Sequence, residues 1–334
     1  MKALVTGASG FIGRRLAAAL ARRGDEVVCL VRPTSDVRPL RALPIELVRG
    51  DLGLPDSLDR VVDGADRVFH LAGAIQAVDE AAFEAANVRG TRNLVEACLR
   101  SPSRPGRFVF VSSIAAAGPN PPGRPLTEAD EPRPVSAYGR SKLAAERFVL
   151  EAGTGMPVTV VRPPNVLGPG SKEIEAAGRL LRRGLMPSFK GAAPRTSLID
   201  VDDLAAALIL AAESPRSAGQ TYFVTDGRDY AWSEVAAAVA EEFGRPRFCV
   251  KVPFGVQLLA ARLEEAAARR SGRPPRLTRE IVRASRDHSW VCDGSKIERE
   301  LGFRAKYGLR ESARRAAEEL RSTEKGRAKR ERGR

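Results

Sequence analysis

The chain is poor in the residues that build metal centres and disulfide frameworks: its 334 residues include four Cys and two His. Cys29, Cys98, Cys249 and Cys292 lie far apart with no Cys-x-x-Cys pair, and only His70 and His288 could assist them. No zinc site is expected, and the thiols read as reduced, small apolar groups. Nor does any apolar run approach the ~18–20 residues needed to span a bilayer. Met1–Val5 runs into a glycine-rich turn, with no place for the apolar core of a signal peptide, so a cytoplasmic location is expected. With 43% hydrophobic and 29% charged residues, the composition excludes a disordered chain and fits one large or two unequal domains.

Lysine is scarce as well. Of 55 basic residues only nine are Lys, yet the net charge is +14. The arginines are spread along the whole chain and form no binding motif by themselves. Residues 321–334 hold seven basic and two acidic residues without an apolar period. That segment reads as a solvated, disordered tail rather than a nucleic-acid-binding arm.

The first half alternates short aliphatic runs with helical periods. Strands are expected at Lys2–Thr6, Glu26–Val31, Glu46–Arg49, Arg67–Leu71, Arg107–Ser112 and Val158–Arg162. Helices are expected at Ile12–Arg23, Ser57–Asp63, Asp79–Arg100 and Ala137–Glu151. The alternation predicts an α/β fold with a doubly wound parallel sheet over residues 1–165. Gly118–Pro134 reads as a long loop at the sheet's working edge. Residues 166–320 would form a smaller lobe with segments returning to the main domain. There, helices are expected at Ile174–Arg183, Leu204–Glu213, Ser233–Phe243 and Val256–Arg270, and strands at Ser197–Val201 and Thr221–Val224.

Thr6-Gly7-Ala8-Ser9-Gly10-Phe11-Ile12-Gly13 follows the first strand and opens the first helix. Gly7 and Gly10 allow a tight turn and close approach of a pyrophosphate, while Gly13 lets the helix pack on the strand. Asp51, followed by Leu52, stands where a carboxylate could accept from an adenine amino group or cap a turn. The small residues Leu71-Ala72-Gly73 after the fourth strand let backbone pass close to a cofactor. His70 reads as a packed strand residue. The second strand ends Val31-Arg32 with no acid, and an Arg fork suits a 2′-phosphate, so NADP(H) is favoured over NAD(H).

Tyr138-Gly139-Arg140-Ser141-Lys142 opens the helix after the proline-rich loop. Residues four apart share a helix face, so Lys142 can lie beside the Tyr138 hydroxyl and lower its pKa towards neutrality, making a general acid/base. Ser113, with Ser112 its nearest competitor, closes the fifth strand, where a hydroxyl could bond a reacting carbonyl oxygen.

Together these residues resemble the extended short-chain dehydrogenase/reductase superfamily, which includes the NAD(P)-dependent epimerase/dehydratases and the 3β-hydroxysteroid-dehydrogenase-like reductases. Asn87-Val88-Arg89-Gly90-Thr91, Arg162–Pro169 and Ile199–Leu204 add to the likeness. The resemblance implies a Rossmann-type fold in which Ser113 polarises the substrate oxygen, Tyr138 passes the proton, and Lys142 holds the nicotinamide ribose. It also implies cofactor contacts around Pro164 and Val166, a substrate contact at Asn165, and a homodimer through Asp79–Arg100 and Ala137–Glu151. Asn87 could lie near the cofactor or tie two elements together. Nucleotide-sugar enzymes of this kind often carry Tyr-Phe-Asn after the sixth strand and an Arg before the Val-Asp-Asp run. Here Pro163-Pro164-Asn165 keeps only the Asn, and Thr196 stands at the Arg position with Arg195 one residue early. The expected activity is hydride transfer between NADP(H) and a ketone, aldehyde or secondary alcohol. The alternatives are a nucleotide-sugar epimerase or dehydratase with tightly bound NAD, and a noncatalytic NAD(P)-binding sensor.

Overall fold

A computed structural model describes residues 1–189, 195–244, 246 and 248–332. Its centre is a seven-stranded, wholly parallel sheet. Six strands come from the first half: β1 (Lys2–Thr6), β2 (Glu26–Val31), β3 (Glu46–Arg49), β4 (Arg67–His70), β5 (Arg107–Val111) and β6 (Val158–Arg162). β7 (Asn165–Leu167), β8 (Leu185–Phe189) and β9 (Arg195–Asp200) lead away from it, and β10 (Gln220–Phe223) returns beside β6. The order β10-β6-β5-β4-β1-β2-β3 reverses direction between β1 and β4. That reversal opens a crevice at the carboxyl ends of those two strands. The aliphatic strand interiors follow from this arrangement: Ala3, Leu4, Val5, Val68, Phe69, Phe108, Val109 and Phe110 are all fully buried, because helices cover both faces.

On one face, α1 (Phe11–Arg22) buries Leu16 and Leu20 in a common core with Leu204 and Leu208 of a later helix (Val201–Glu213). On the other, Leu94, Val95 and Cys98 of α2 (Gly90–Arg100) share a core with Ala145 and Val149 of α3 (Ala137–Glu151). The helix expected over Asp79–Arg100 runs without a break from Glu80 to Arg100, capped by Asp79, but it widens into a π-helical stretch at Glu84–Arg89 before continuing as α2. Within the widened turn the Thr91 hydroxyl donates to the Asn87 carbonyl at 2.6 Å, a side-chain donor at the point where the regular ladder is interrupted.

The second lobe has its own core, around Ile174 of α4 (Lys172–Arg182), Val235 and Phe243 of α6 (Trp232–Phe243), and Ala313 and Ala317 of α9 (Leu309–Arg332); α5 is the helix Val201–Glu213. β11 (Asp229–Ala231), β9 and β7 form a small sheet, and β12 (Phe248–Val252) pairs with β8. The three-residue strands β7 and β11 are too short to show a period in sequence. Helices α7 (Phe254–Ser271) and α8 (Arg279–Asp287), and a shorter one at Ser295–Leu301, stand between β12 and α9. The basic segment expected to be disordered is helical through Arg332, and Gly333 and Arg334 lie outside the described residues. Its beginning is anchored by Arg321 to Glu242 (3.0 Å) and by Arg182 to Glu324 (2.9 Å), partners on α6 and α4 that no local pattern reveals. Cys29, Cys98 and Cys292 are buried free thiols; the side chain of Cys249 lies outside the described residues.

Arg162, at the end of β6, donates from Nε to Glu146 of α3 at 3.0 Å, both side chains almost wholly buried. Removing one partner of such a pair strands a charge in the core. Glu146→Leu should therefore lower stability by about 3–5 kcal/mol in urea unfolding, and the double variant Glu146→Leu/Arg162→Met should recover most of that loss.

Candidate active site

The glycine turn lies at the carboxyl end of β1, on one side of the crevice. Gly7 has φ +74°, and a Cβ there would meet the Ala72 backbone nitrogen at 2.7 Å. A Cβ on Gly13 would meet the Gly7 carbonyl oxygen at 2.2 Å, so helix and turn touch backbone to backbone. Gly10 is exposed and its amide donates to Gly7 O at 2.9 Å. No side chain caps α1, so its first amides, next to half-buried Ser9, Phe11 and Ile12, face the crevice without a side-chain acceptor. Such a terminus attracts phosphate. These residues fit a dinucleotide pyrophosphate.

Opposite the turn, a buried hydrogen-bonded chain fixes the end of β4. Thr91 donates to Asn87 O, so its oxygen accepts from His70 Nε2 (2.9 Å); His70 Nδ1 then accepts from the Thr6 hydroxyl (2.7 Å). Thr6 Oγ1 in turn accepts the Ala72 amide at 3.2 Å. Every group has a partner in this one assignment of hydrogens. Burial, with a smaller contribution from the Lys142 charge, holds the imidazole down to about 3, so His70 is neutral and structural. Asn87 does tie two elements together: its Oδ1 accepts Ala74 N (2.7 Å), and its Nδ2 donates to Ala74 O (3.0 Å) and to Ser141 Oγ on α3 (2.9 Å). Gly73 beside it is exposed, and a Cβ there would meet Asn87 Oδ1 at 2.8 Å. Leu71 and Ala72 are half-buried. Sequence reasoning alone gives no role to the side chains of Thr6, Thr91 and Ser141. A polar residue inside an aliphatic strand, as Thr6 is, is the available signal.

Ser113 caps the short helix Ile114–Ala117, its hydroxyl oxygen accepting Ala115 N at 3.1 Å, while its proton is directed at the Tyr138 phenol. Ser112 is buried in the core with no partner for its hydroxyl among the described residues. Of the two, Ser113 is the one that faces the site. Tyr138 is half-buried, its ring 6.0 Å from that of Phe83. Lys142 is buried, donates to Val111 O at 2.8 Å and sits 4.1 Å from the Phe110 ring centroid. The expectation that the phenol is brought towards neutrality is corrected for the protein with nothing bound: burial pushes Tyr138 up to about 12, and the Ser113 hydroxyl opposes this. The Lys142 ammonium is turned to the carbonyl end of β5. Burial pushes Lys142 itself down to about 7, against the pull of Glu146.

The outer residues are distributed around this centre. Arg32 is exposed at the end of β2, with no ion pair among the described residues. Asp51 Oδ1 accepts Gly53 N at 2.8 Å, closing its own turn, and Leu52 O accepts Asn93 Nδ2 at 2.7 Å. Pro164 is buried and Val166 half-buried, at the start of the second lobe. Asn165 is exposed but its amide donates to the buried Thr196 hydroxyl at 2.7 Å. Arg195 is held by Asp229.

Lys142 has a stability consequence with a definite sign. Its folded pKa of about 7 lies below the ordinary value for Lys, so the folded state gives up its proton first. Stability is then penalised in full below about pH 7, and the penalty fades towards about pH 10. Lys142→Met should raise the melting temperature most at pH 6, with the gain over wild type shrinking by pH 9; a gain independent of pH would contradict the assignment.

Comparison with known proteins agrees with this geometry. Residues 3–225 match the NAD dependent epimerase/dehydratase family. Ceramide reductase of Caulobacter vibrioides is 34% identical over 78% of this chain and 77% of its own length. The 4-hydroxy-2-methyl-3-oxo-4-farnesyl-3,4-dihydroquinoline-1-oxide ketoreductase of Stigmatella aurantiaca is 31% identical over 91% of this chain and 92% of its own. Among solved structures, the UDP-glucose 4-epimerase of Thermus thermophilus in complex with NAD superposes with TM-score 0.77 at 25% identity, covering 96% of this chain and 99% of that one. With its parallel sheet, glycine cradle and Tyr-x-x-x-Lys helix, the chain belongs to the NAD dependent epimerase/dehydratase family.

Proposed function

We propose that this protein transfers hydride between NADP(H) and a ketone, aldehyde or secondary alcohol of apolar character. The observation that carries the reading is the convergence of Ser113, Tyr138 and Lys142 at the carboxyl end of β5, beside the glycine cradle. The dinucleotide, when bound, supplies or accepts the hydride. Ser113, whose oxygen accepts Ala115 N and whose hydroxyl lies beside the Tyr138 phenol, would turn its proton to a substrate oxygen placed between them. Tyr138 is held in the protonated form, as a proton donor to a developing alkoxide must be. Lys142, pinned to Val111 O, holds its charge where it favours the phenolate left behind and would bond the nicotinamide ribose.

Two features support the reductase branch. The position where nucleotide-sugar enzymes carry a phosphate-gripping Arg is Thr196, already engaged by Asn165, and the neighbouring Arg195 is held by Asp229. Asn165 is thus engaged within the fold, and neither 195 nor 196 offers an unpaired guanidinium to a diphosphate among the described residues. Arg32 is exposed for a 2′-phosphate, whereas nearby Arg38 is tied to Asp36 at 2.8 Å. Two of the relatives above carry reductase names.

Tyr138→Phe should lower turnover by about 10²–10⁴-fold while NADPH binding, followed by nicotinamide fluorescence, stays nearly intact. Full activity in that variant would overturn the mechanism, and no turnover in the wild type would favour the noncatalytic reading. Arg32→Ala should weaken NADPH by about tenfold or more, since a charge-assisted hydrogen bond is worth ~1.5–3 kcal/mol, and leave NADH unchanged. Equal weakening of both would remove Arg32 from the 2′-phosphate site.

A further inference from the structure

Helix α7 is built inside out. It turns the small residues Ala261 and Ala268 to the protein and leaves Val256 (54%), Leu259 (58%) and Leu263 (62%) exposed. Their spacing of three and four places them on one helical face, and the exposed Ala260, Ala266 and Ala267 continue the stripe for most of the helix. A surface helix that turns two alanines to the core and leaves Val256, Leu259 and Leu263 on solvent has a second apolar neighbour to meet.

The charges around the stripe are predominantly positive. From Phe254 to Asp287 the chain carries eight Arg against four acids. Three of those acids bond backbone amides of the hairpin and its neighbour. Glu264 accepts the amides of Arg276 (2.8 Å) and Leu277 (2.9 Å), Glu265 accepts Arg279 N (2.8 Å), and Glu280 accepts Ala137 N on the catalytic helix (3.1 Å). Arg262, Arg269, Arg270, Arg273 and Arg276 are exposed and make no ion pair among the described residues. An apolar ridge edged by unpaired guanidinium groups is complementary to an anionic lipid surface, whose acyl boundary takes the leucines and whose phosphates take the forks.

The hairpin also sits at the mouth of the site. Glu280 bonds the residue before Tyr138, and Arg276 O accepts from Gln76 Nε2 at 3.4 Å, in the loop that follows Gly73. The neighbouring residue in that loop, Ile75, is 71% exposed. None of the described helices is long and apolar enough to cross a membrane, so the contact would be one of lying on the bilayer.

We propose that the α7–α8 hairpin docks on an anionic phospholipid bilayer and that the site opposite Tyr138 receives its carbonyl substrate from that bilayer, as a lipid-dissolved ketone or aldehyde. The substrate part rests on the reductase reading; the docking part does not.

The test is co-sedimentation of the full chain with vesicles of phosphatidylcholine alone and of phosphatidylcholine mixed with phosphatidylglycerol. Wild type should bind the anionic vesicles and not the neutral ones. Leu259→Ser/Leu263→Ser, whose side chains are exposed and outside the catalytic set, should bind at least about tenfold more weakly, with unchanged melting temperature and unchanged NADPH-dependent turnover of a short water-soluble ketone. Arg269→Glu/Arg270→Glu should reduce binding similarly. Absence of vesicle binding by wild type overturns the proposal. So does undiminished binding by the leucine variant, which would assign the affinity to the basic C-terminal helix. A wild-type dimer that the leucine variant converts to monomer, without vesicle binding, would make the stripe a self-association face and overturn it too. If vesicles bind as expected but no ketone is turned over, the reductase reading fails and the docking face stands.

Discussion

The site depends on one buried chain of hydrogen bonds, from Thr6 through His70 and Thr91 to Asn87, and from Asn87 to Ser141. It joins β1, β4, the π-helical stretch, α2 and α3 beside the crevice. Parallel strands alone fix distances along the sheet but leave the loops at their ends free. Here the loop after β4 is pinned twice, by Thr6 on Ala72 and by Asn87 on Ala74. The π-helical turn places Asn87 between that loop and α3. A neutral His70 is required throughout, since a protonated ring would have no acceptor role to offer Thr6.

The electrostatics of the three candidate catalytic residues follow from the same burial. Tyr138 is held up and Lys142 is held down, so both are driven towards their neutral forms before anything binds. A neutral phenol is the form that donates a proton. A lysine poised near neutral pH gains its charge most readily when an acceptor or a developing anion appears beside it. The pair therefore responds to what occupies the crevice, instead of carrying a permanent ion pair that would have to be broken.

Much of this is legible in sequence because period and position carry it. β1, β2, β3 and β6 are found at the expected bounds, since strands covered on both faces read as unbroken aliphatic runs. The glycines declare themselves through backbone contacts that only a missing side chain permits. What is not legible depends on distant partners. The Lys142 ammonium bonds Val111 O, a backbone partner on β5 that no local spacing points to. Asn87 acquires its role from Ala74 and Ser141, far away in sequence. The last helix owes its anchoring to Glu242 and Arg182, which a composition-based reading of a basic tail cannot weigh.

The abundance of arginine then takes on two physical meanings according to what faces each fork. Arg15 bonds Asp202 at 2.6 Å, and Arg315 bonds Asp200 at 2.8 Å, joining α1, the start of α5 and the last helix through planar, bidentate-capable groups. Those arginines are partly shielded and each has a carboxylate, so they stitch the second lobe to the sheet. In the α7–α8 hairpin the acids go largely to the hairpin itself: Glu264 accepts turn amides, Glu265 takes the amide and guanidinium of Arg279, and Glu280 bonds the start of α3. Arg262, Arg269, Arg270, Arg273 and Arg276 are thus left without an ion pair among the described residues, around an apolar ridge. Net charge alone would not distinguish these two populations. The direction in which the acids point does, and it separates arginines that close the fold from arginines that remain available to a partner.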